Sequence, residues 1–86
     1  MIAPRRRAVR EPVQMAAMRN GVFPSAFVWR GDRHDVRAVE ACRTEQRAGR
    51  ARRHVFRVRT DRAVFELAQD LARGHWRVEQ VWARNE

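Results

Sequence analysis

Three kinds of residue in this chain have the chemistry to act on a ligand. They are the tripeptide Arg30-Gly31-Asp32, the scattered donors His34, Asp35, Cys42, His54 and His75, and the arginines, which supply all 19 basic residues. The tripeptide matches the adhesive signal read by integrins, but it stands between the apolar run Phe27-Val28-Trp29 and a second run that begins at His34. Gly takes positive φ and Asp bonds its local backbone, so the tripeptide reads as a turn. Zinc sites carry close pairs such as C-x-x-C or H-x₃₋₅-H. One Cys and three widely separated His form no such pair, and the histidines are expected at strand edges or in loops. A nucleophile needs an adjacent base and an orienting third group. Ser25 has no G-x-S-x-G setting, and Cys42 is expected to pack in its strand as a small hydrophobe. The acids Asp61, Glu66, Asp70 and Glu79 are scattered, and the four glycines are isolated, which leaves no loop to cradle a phosphate. The expectation is of no enzyme, no metal, no cofactor and no small-molecule substrate.

The arginines remain. The net charge of +9 attracts polyanions, nucleic acid first. The complete absence of Lys is better explained by a genome-wide codon bias towards G and C than by a ligand, so the charge is informative and the choice of Arg is not. The basic residues fall in three places: a tail (Arg5, Arg6, Arg7, Arg10), a loop (Arg43, Arg47, Arg50, Arg52, Arg53) and a strand face (Arg37, Arg57, Arg59, Arg77). If their strands are adjacent, the last four form a positive stripe. Candidate nucleic-acid contacts are therefore Arg37, Arg50, Arg52, Arg53, Arg57, Arg59 and Arg77, with DNA or RNA as partner. Against this, Glu66 and Glu79 project from the same face, where cross-strand pairing neutralises arginine. A charged strand face is also the ordinary solvated side of a sheet. The alternative is a protein-interaction module that docks on a larger partner, such as a polymerase, through a sheet edge or the basic face. The aromatics alternate as core positions, with Trp82 the most exposed candidate for stacking.

The elements that must position these residues are strands. Eighty-six residues make one small domain. Residues 1–11 read as a flexible basic tail and 12–83 as a single β domain with a basic loop at 44–53. Asn20-Gly21 is a strong hairpin signal. Phe27 with Trp29, Phe56 with Val58, Phe65 with Leu67, and Trp76 with Val78 each share a face by period two. After Val36 and Ala38 the apolar parity switches, which places a β-bulge near residues 38–40. The expected core is Phe27, Trp29, Val36, Phe56, Val58, Phe65, Leu67, Trp76 and Val78. One conflict stands: Val64, Leu67, Ala68 and Leu71 have helical spacing, so 63–73 also reads as an amphipathic helix in an α+β fold. No apolar run approaches the length of a membrane span, and the N-terminal segment has no apolar stretch of the signal-peptide kind. A cytoplasmic protein is the default.

The blocks F-V-W-R-G-D-R-H-D-V, R-H-V-F-R-V-R-T, A-V-F-E-L-A-Q-D and H-W-R-V-E-Q-V-W follow one another in an order that is similar to a known family. Over about residues 11 to 82 the chain resembles small bacterial proteins of unknown function, common in actinobacteria. Their blocks look like F-x-W-R-G-R-x-Y-x-V, R-x-F-R-V, F-E-L-x-x-D and W-x-L-x-x-V-W-D. The chain departs at His34, where the family usually has Tyr, at its ending, and in its short 44–53 loop. The resemblance implies a strand at Ala63 to Ala68 and a turn through Asp70 to Gly74, and so decides the conflict for β. It also implies an accessory role in mutagenic DNA repair, because genes of the family often lie beside those of translesion polymerases. It supplies no binding or catalytic residues. The fold expected is all-β: five or six antiparallel strands in meander order, strongly twisted or closed into a small barrel.

Overall fold

A computed structural model describes residues 6–83. Among them are seven strands and no helix: β1 (Arg6–Arg19), β2 (Phe23–Trp29), β3 (Asp32–Asp35), β4 (Ala38–Glu45), β5 (Arg53–Arg59), β6 (Ala63–Asp70) and β7 (Trp76–Ala83). All pairings are antiparallel, in the order β3-β2-β1-β7-β6-β5-β4. The chain therefore forms two meanders, β1–β3 and β4–β7, joined where its first and last strands pair. That order corrects the single meander expected.

Turn chemistry sets the hairpins. Asn20 and Gly21 both take positive φ (54° and 67°), as the Asn-Gly signal requires. Arg30 and Gly31 also take positive φ (53° and 81°) and form the whole loop between Trp29 and its partner Asp32. The Arg-Gly-Asp sequence is thus a two-residue turn plus the first residue of β3. Between β5 and β6 the Thr60 hydroxyl accepts from the N–H groups of Arg62 (3.1 Å) and Ala63 (3.3 Å).

The seventh strand arises because residues 32–45 make two strands, not one. The Val36 N–H donates to the Ser25 carbonyl of β2 (2.9 Å), and the next N–H, of Arg37, donates to Arg59 of β5 (2.7 Å). Adjacent residues thus bridge the two ends of the sheet, which curls into a half-barrel. The expected bulge is present, with Glu40 as the extra residue between the pairs Val39↔Val58 and Ala41↔Arg57. The helix considered for 63–73 is overturned: Ala63–Asp70 pairs on both sides, with β5 and β7. Leu67 and Ala68 are both buried, on opposite faces, so the helical spacing reflects two covered faces of one strand.

β1 spans both meanders. Residues 6–13 pair with β7 and residues 14–19 with β2. An irregularity between Ala8 and Glu11, with Arg10 at φ 55°, lies in the half paired with β7. The basic tail expected over 1–11 is therefore strand from Arg6 onward; residues 1–5 lie outside the described residues.

The inner face holds Phe27, Phe56, Val58, Ala63, Phe65, Leu67, Trp76, Val78 and Val81. Phe27 of β2 meets Phe65 of β6 edge to face at 5.1 Å, closing the curl. Trp29 and Val36, expected in the core, are only partly buried against it. One further expectation holds only in part, since His34 lies on the edge strand β3 but faces inward, and another, for Cys42, fails. His34 is a core residue at 6% exposure, stacked on Phe27 at 5.1 Å, because β3 turns this one side chain inward. Cys42 is exposed, although it pairs with Phe56, because β4 is the outermost strand at its end of the sheet.

Candidate nucleic-acid interface

On the outer face the registers Arg53↔Asp70, Val55↔Ala68, Arg57↔Glu66 and Ala68↔Arg77 set arginines and carboxylates in alternating positions across β5, β6 and β7. The pairs formed are specific. Glu45 accepts from Arg43 Nε (2.7 Å) and Arg53 Nε (3.0 Å), and the two guanidiniums hold its carboxyl below the usual range. Arg43 also reaches Glu66 on β6 (3.5 Å), which requires its side chain to cross β5, over Val55. Arg53 likewise reaches Glu79 on β7 (3.6 Å), across β6. These crossings explain why Val55, Glu66 and Ala68 are buried on a face that is otherwise solvated.

Beyond this network, at the end of the sheet where β5 begins and β6 stops, two connections rise and form a cleft of about 650 Å³. One is the 46–52 loop. Its Gln46 amide donates to the carbonyls of Arg47 (3.2 Å) and Arg50 (2.8 Å), and Gly49 takes φ 73°. The other is the 71–75 turn. Asp70 accepts from the N–H groups of Ala72 (2.8 Å) and Arg73 (3.1 Å), which pull its carboxyl below the usual range, and the Gly74 N–H closes on the Asp70 carbonyl (2.6 Å). The Leu71 N–H donates to the Arg52 carbonyl (3.0 Å), tying the two walls together.

Six arginines line the cleft, Arg10, Arg47, Arg50, Arg53, Arg73 and Arg77, against two carboxylates, Asp70 and Glu79. Arg53 and Arg77 are fixed: both pair with Glu79, and Arg77 also donates to the Arg10 carbonyl (2.7 Å). Among the described residues no carboxylate lies within ion-pair distance of Arg10, Arg47, Arg50 or Arg73. Four arginines without ion-pair partners thus surround two anchored ones in a concave site. Such a site can bind phosphate groups by charge-assisted, forked hydrogen bonds.

Of the residues read from the sequence as contacts, Arg50, Arg53 and Arg77 come together in this cleft. Arg52 holds the 71–75 turn through its carbonyl. Arg57 lies over the Trp82 ring at 4.8 Å, and Arg59 pairs with Glu40 at 3.4 Å, both on the outer face but away from the cleft. Arg37 is not part of a stripe; it lies between β3 and β4, forked onto Asp61 at 3.0 and 2.7 Å. Arg30 of the turn is forked onto Glu11 (2.8 and 2.6 Å), which also accepts from the Trp29 indole (2.8 Å). These contacts hold the Glu11 carboxyl down to about 2.

Arg10, Arg47, Arg73 and His75 were missing from the sequence-derived set. A signal existed for the last two. If β5 and β6 form a hairpin with Arg53 opposite Asp70, then the loop before Arg53 and the turn after Asp70 must stand at the same end of the sheet.

Residues 2–83, almost the whole chain, match the sequence model of a domain of unknown function, DUF6504. No curated protein and no solved structure matches the chain. No helix among the described residues is long and apolar enough to cross a membrane. The match spans both meanders and every residue of the cleft, and on it the chain belongs to the DUF6504 family.

Proposed function

We propose that this protein is a non-catalytic nucleic-acid-binding module, a cytoplasmic accessory to DNA repair, that holds a phosphate backbone in the arginine cleft. The observation that carries the reading is the convergence of Arg10, Arg47, Arg50 and Arg73, all without ion-pair partners, on a cleft floored by the anchored Arg53 and Arg77. A protein that only needed a solvated sheet face would neutralise it, as this one does elsewhere with Glu40, Glu45 and Glu66. Phosphates entering the cleft release counterions, so binding weakens steeply with salt. The repair role rests on the resemblance described above and gives the cleft a DNA strand to hold. The test is fluorescence anisotropy of a labelled oligonucleotide at about 50 mM salt. Binding that Arg47→Ala/Arg50→Ala weakens supports the reading, and no binding at that salt ends it.

A second reading has its own observation. β4 pairs on one side only, with β5, and presents an eight-residue edge. An extended segment of a polymerase or other partner protein adds there as an extra strand. Proline placed at an outward-facing N–H of β4 would abolish such a complex and leave oligonucleotide binding intact.

A further inference from the structure

The arginine cleft has an apolar neighbour. β1 leaves β7 after the pair Val13↔Trp76, and its next inward residue, Met15, pairs with Phe27 of β2 instead. β7 starts at Trp76, so the partner strand simply ends there and the chain turns away through Gly74 and His75. The gap between the diverging strands is an open pocket of about 500 Å³, lined by Pro12, Val13 and Met15 of β1 and by His75, Trp76 and Arg77 at the start of β7. His75 and Arg77 also line the arginine cleft, so the two concavities share a wall.

We infer that this pocket receives an unstacked base, and that the ligand of the cleft is single-stranded nucleic acid. The inference rests on the phosphate-binding reading of the cleft. A phosphate held at Arg77 brings its sugar and base to the end of β7, where Met15 and Trp76, itself 7% exposed, line the pocket. The pocket offers what the flat face of a base needs: a thioether, an aromatic wall, an exposed imidazole and aliphatic carbon. Binding sites for single strands combine a basic groove with such surfaces, whereas a duplex keeps its bases stacked and paired and leaves the pocket empty. Neither concavity alone specifies the ligand. A purely anionic ligand leaves the apolar pocket unused, and an apolar peptide leaves the four free guanidiniums without a counter-charge.

The test compares three fluorescein-labelled probes at about 50 mM salt: oligothymidylate, a strand with the same number of phosphates but abasic residues throughout, and a duplex. The expected result is oligothymidylate binding roughly tenfold or more tighter than the abasic strand, the scale of one base stacked on a protein ring. Met15→Trp, whose larger side chain fills the pocket, removes that difference and leaves abasic binding unchanged. His75→Ala, in an exposed turn, is the second variant; it narrows the difference without unfolding the chain, as checked by circular dichroism. Equal affinity of the wild-type protein for the base-bearing and abasic strands overturns the base pocket while the phosphate cleft stands. A duplex bound as tightly as oligothymidylate also overturns it. Absence of binding to all three probes overturns the cleft and the inference with it.

Discussion

Replacing Arg47 and Arg50 by Ala removes two of the four arginines in the cleft that lack an ion-pair partner, and the consequence is calculable. If each of the four free arginines meets one phosphate, log K falls with log salt with a slope of about −2.8 on a single strand, at about −0.7 per contact. Between about 50 and 200 mM salt the wild-type protein then loses roughly 50-fold in affinity. The double variant keeps two free contacts, a slope of about −1.4, and loses roughly 7-fold over the same range. The control is Arg33→Ala/Arg62→Ala, which removes two charges at exposed positions ion-paired with Asp35 and Asp32. Arg62 sits in the turn at the opposite end of β5 and β6 from the cleft. Its net charge equals that of the cleft variant, but its slope stays near about −2.8. Anisotropy titrations at four or more salt concentrations give all three slopes. Equal slopes for the two double variants would refute the reasoning, because affinity would then follow net charge and not the cleft.

Other outcomes follow from the core and from the turn at Arg30. Phe65 is 1% exposed and meets Phe27 (5.1 Å), Trp29 (5.7 Å) and His34 (5.0 Å), so it is the hub of the inner face. Phe65→Ala costs about 3–5 kcal/mol, a large share of the roughly 4–13 kcal/mol that a chain of this length holds. Urea unfolding followed by tryptophan fluorescence measures the loss; a midpoint equal to wild type would mean that the sheet does not curl as described. Burial, with Arg62 nearby, pushes the His34 imidazole below its ordinary value, against the opposing pull of Asp32 and Asp35. The neutral ring is thus favoured in the fold, so stability is full above about pH 6.5 and declines as pH falls below it. His34→Phe flattens that decline in thermal melts, and a decline that persists unchanged places its cause elsewhere. Glu11 is held down to about 2 by the Arg30 and Trp29 hydrogen bonds, so its contribution is present above about pH 4.5 and lost as pH falls towards 2. An acid titration of tryptophan fluorescence shows this step, and Glu11→Gln removes it.

Period-two alternation exposed most of the fold. Phe56 with Val58, Phe65 with Leu67, and Trp76 with Val78 all point inward as their spacing implies. The two turns built on Asn20-Gly21 and Arg30-Gly31 needed only local chemistry. What the sequence hid were features set by partners distant along the chain. Alternation cannot show that β1 pairs with β7, because Arg6, Arg7 and Arg10 carry no apolar signal and the strand exists through its partner's backbone. His34 looks polar in sequence, yet it is covered by Phe27, Trp29 and Phe65, which come from β2 and β6. The candidate site was half legible for the same reason. Arg50, Arg53 and Arg77 could be named from charge and parity, but their meeting with Arg10 and Arg73 depends on register across four strands.

The distribution of carboxylates argues most directly that the cleft is a binding surface. Arg30, Arg33, Arg37, Arg43, Arg53, Arg59, Arg62 and Arg77 each have an ion-pair partner, and together they engage every acidic residue of the described chain except Asp70. Asp70 is itself occupied by the backbone of the 71–75 turn. Folding therefore spends the acids on fixing turns and on crossing the outer face, and the surplus of positive charge has nowhere to be cancelled internally. A surplus with no role would spread over the surface, since mutual repulsion disfavours gathering it. Here four of the unpaired guanidiniums gather around one concavity instead, held there by the Gln46-capped loop and the Asp70 turn. Like charges brought together by ordered backbone carry a cost that an anionic ligand relieves, so the protein should gain stability from the ligand in proportion to its occupancy. A thermal shift on adding oligothymidylate, absent in Arg47→Ala/Arg50→Ala, is the signature of that relief; an equal shift in both proteins would mean that the gathered charge is incidental.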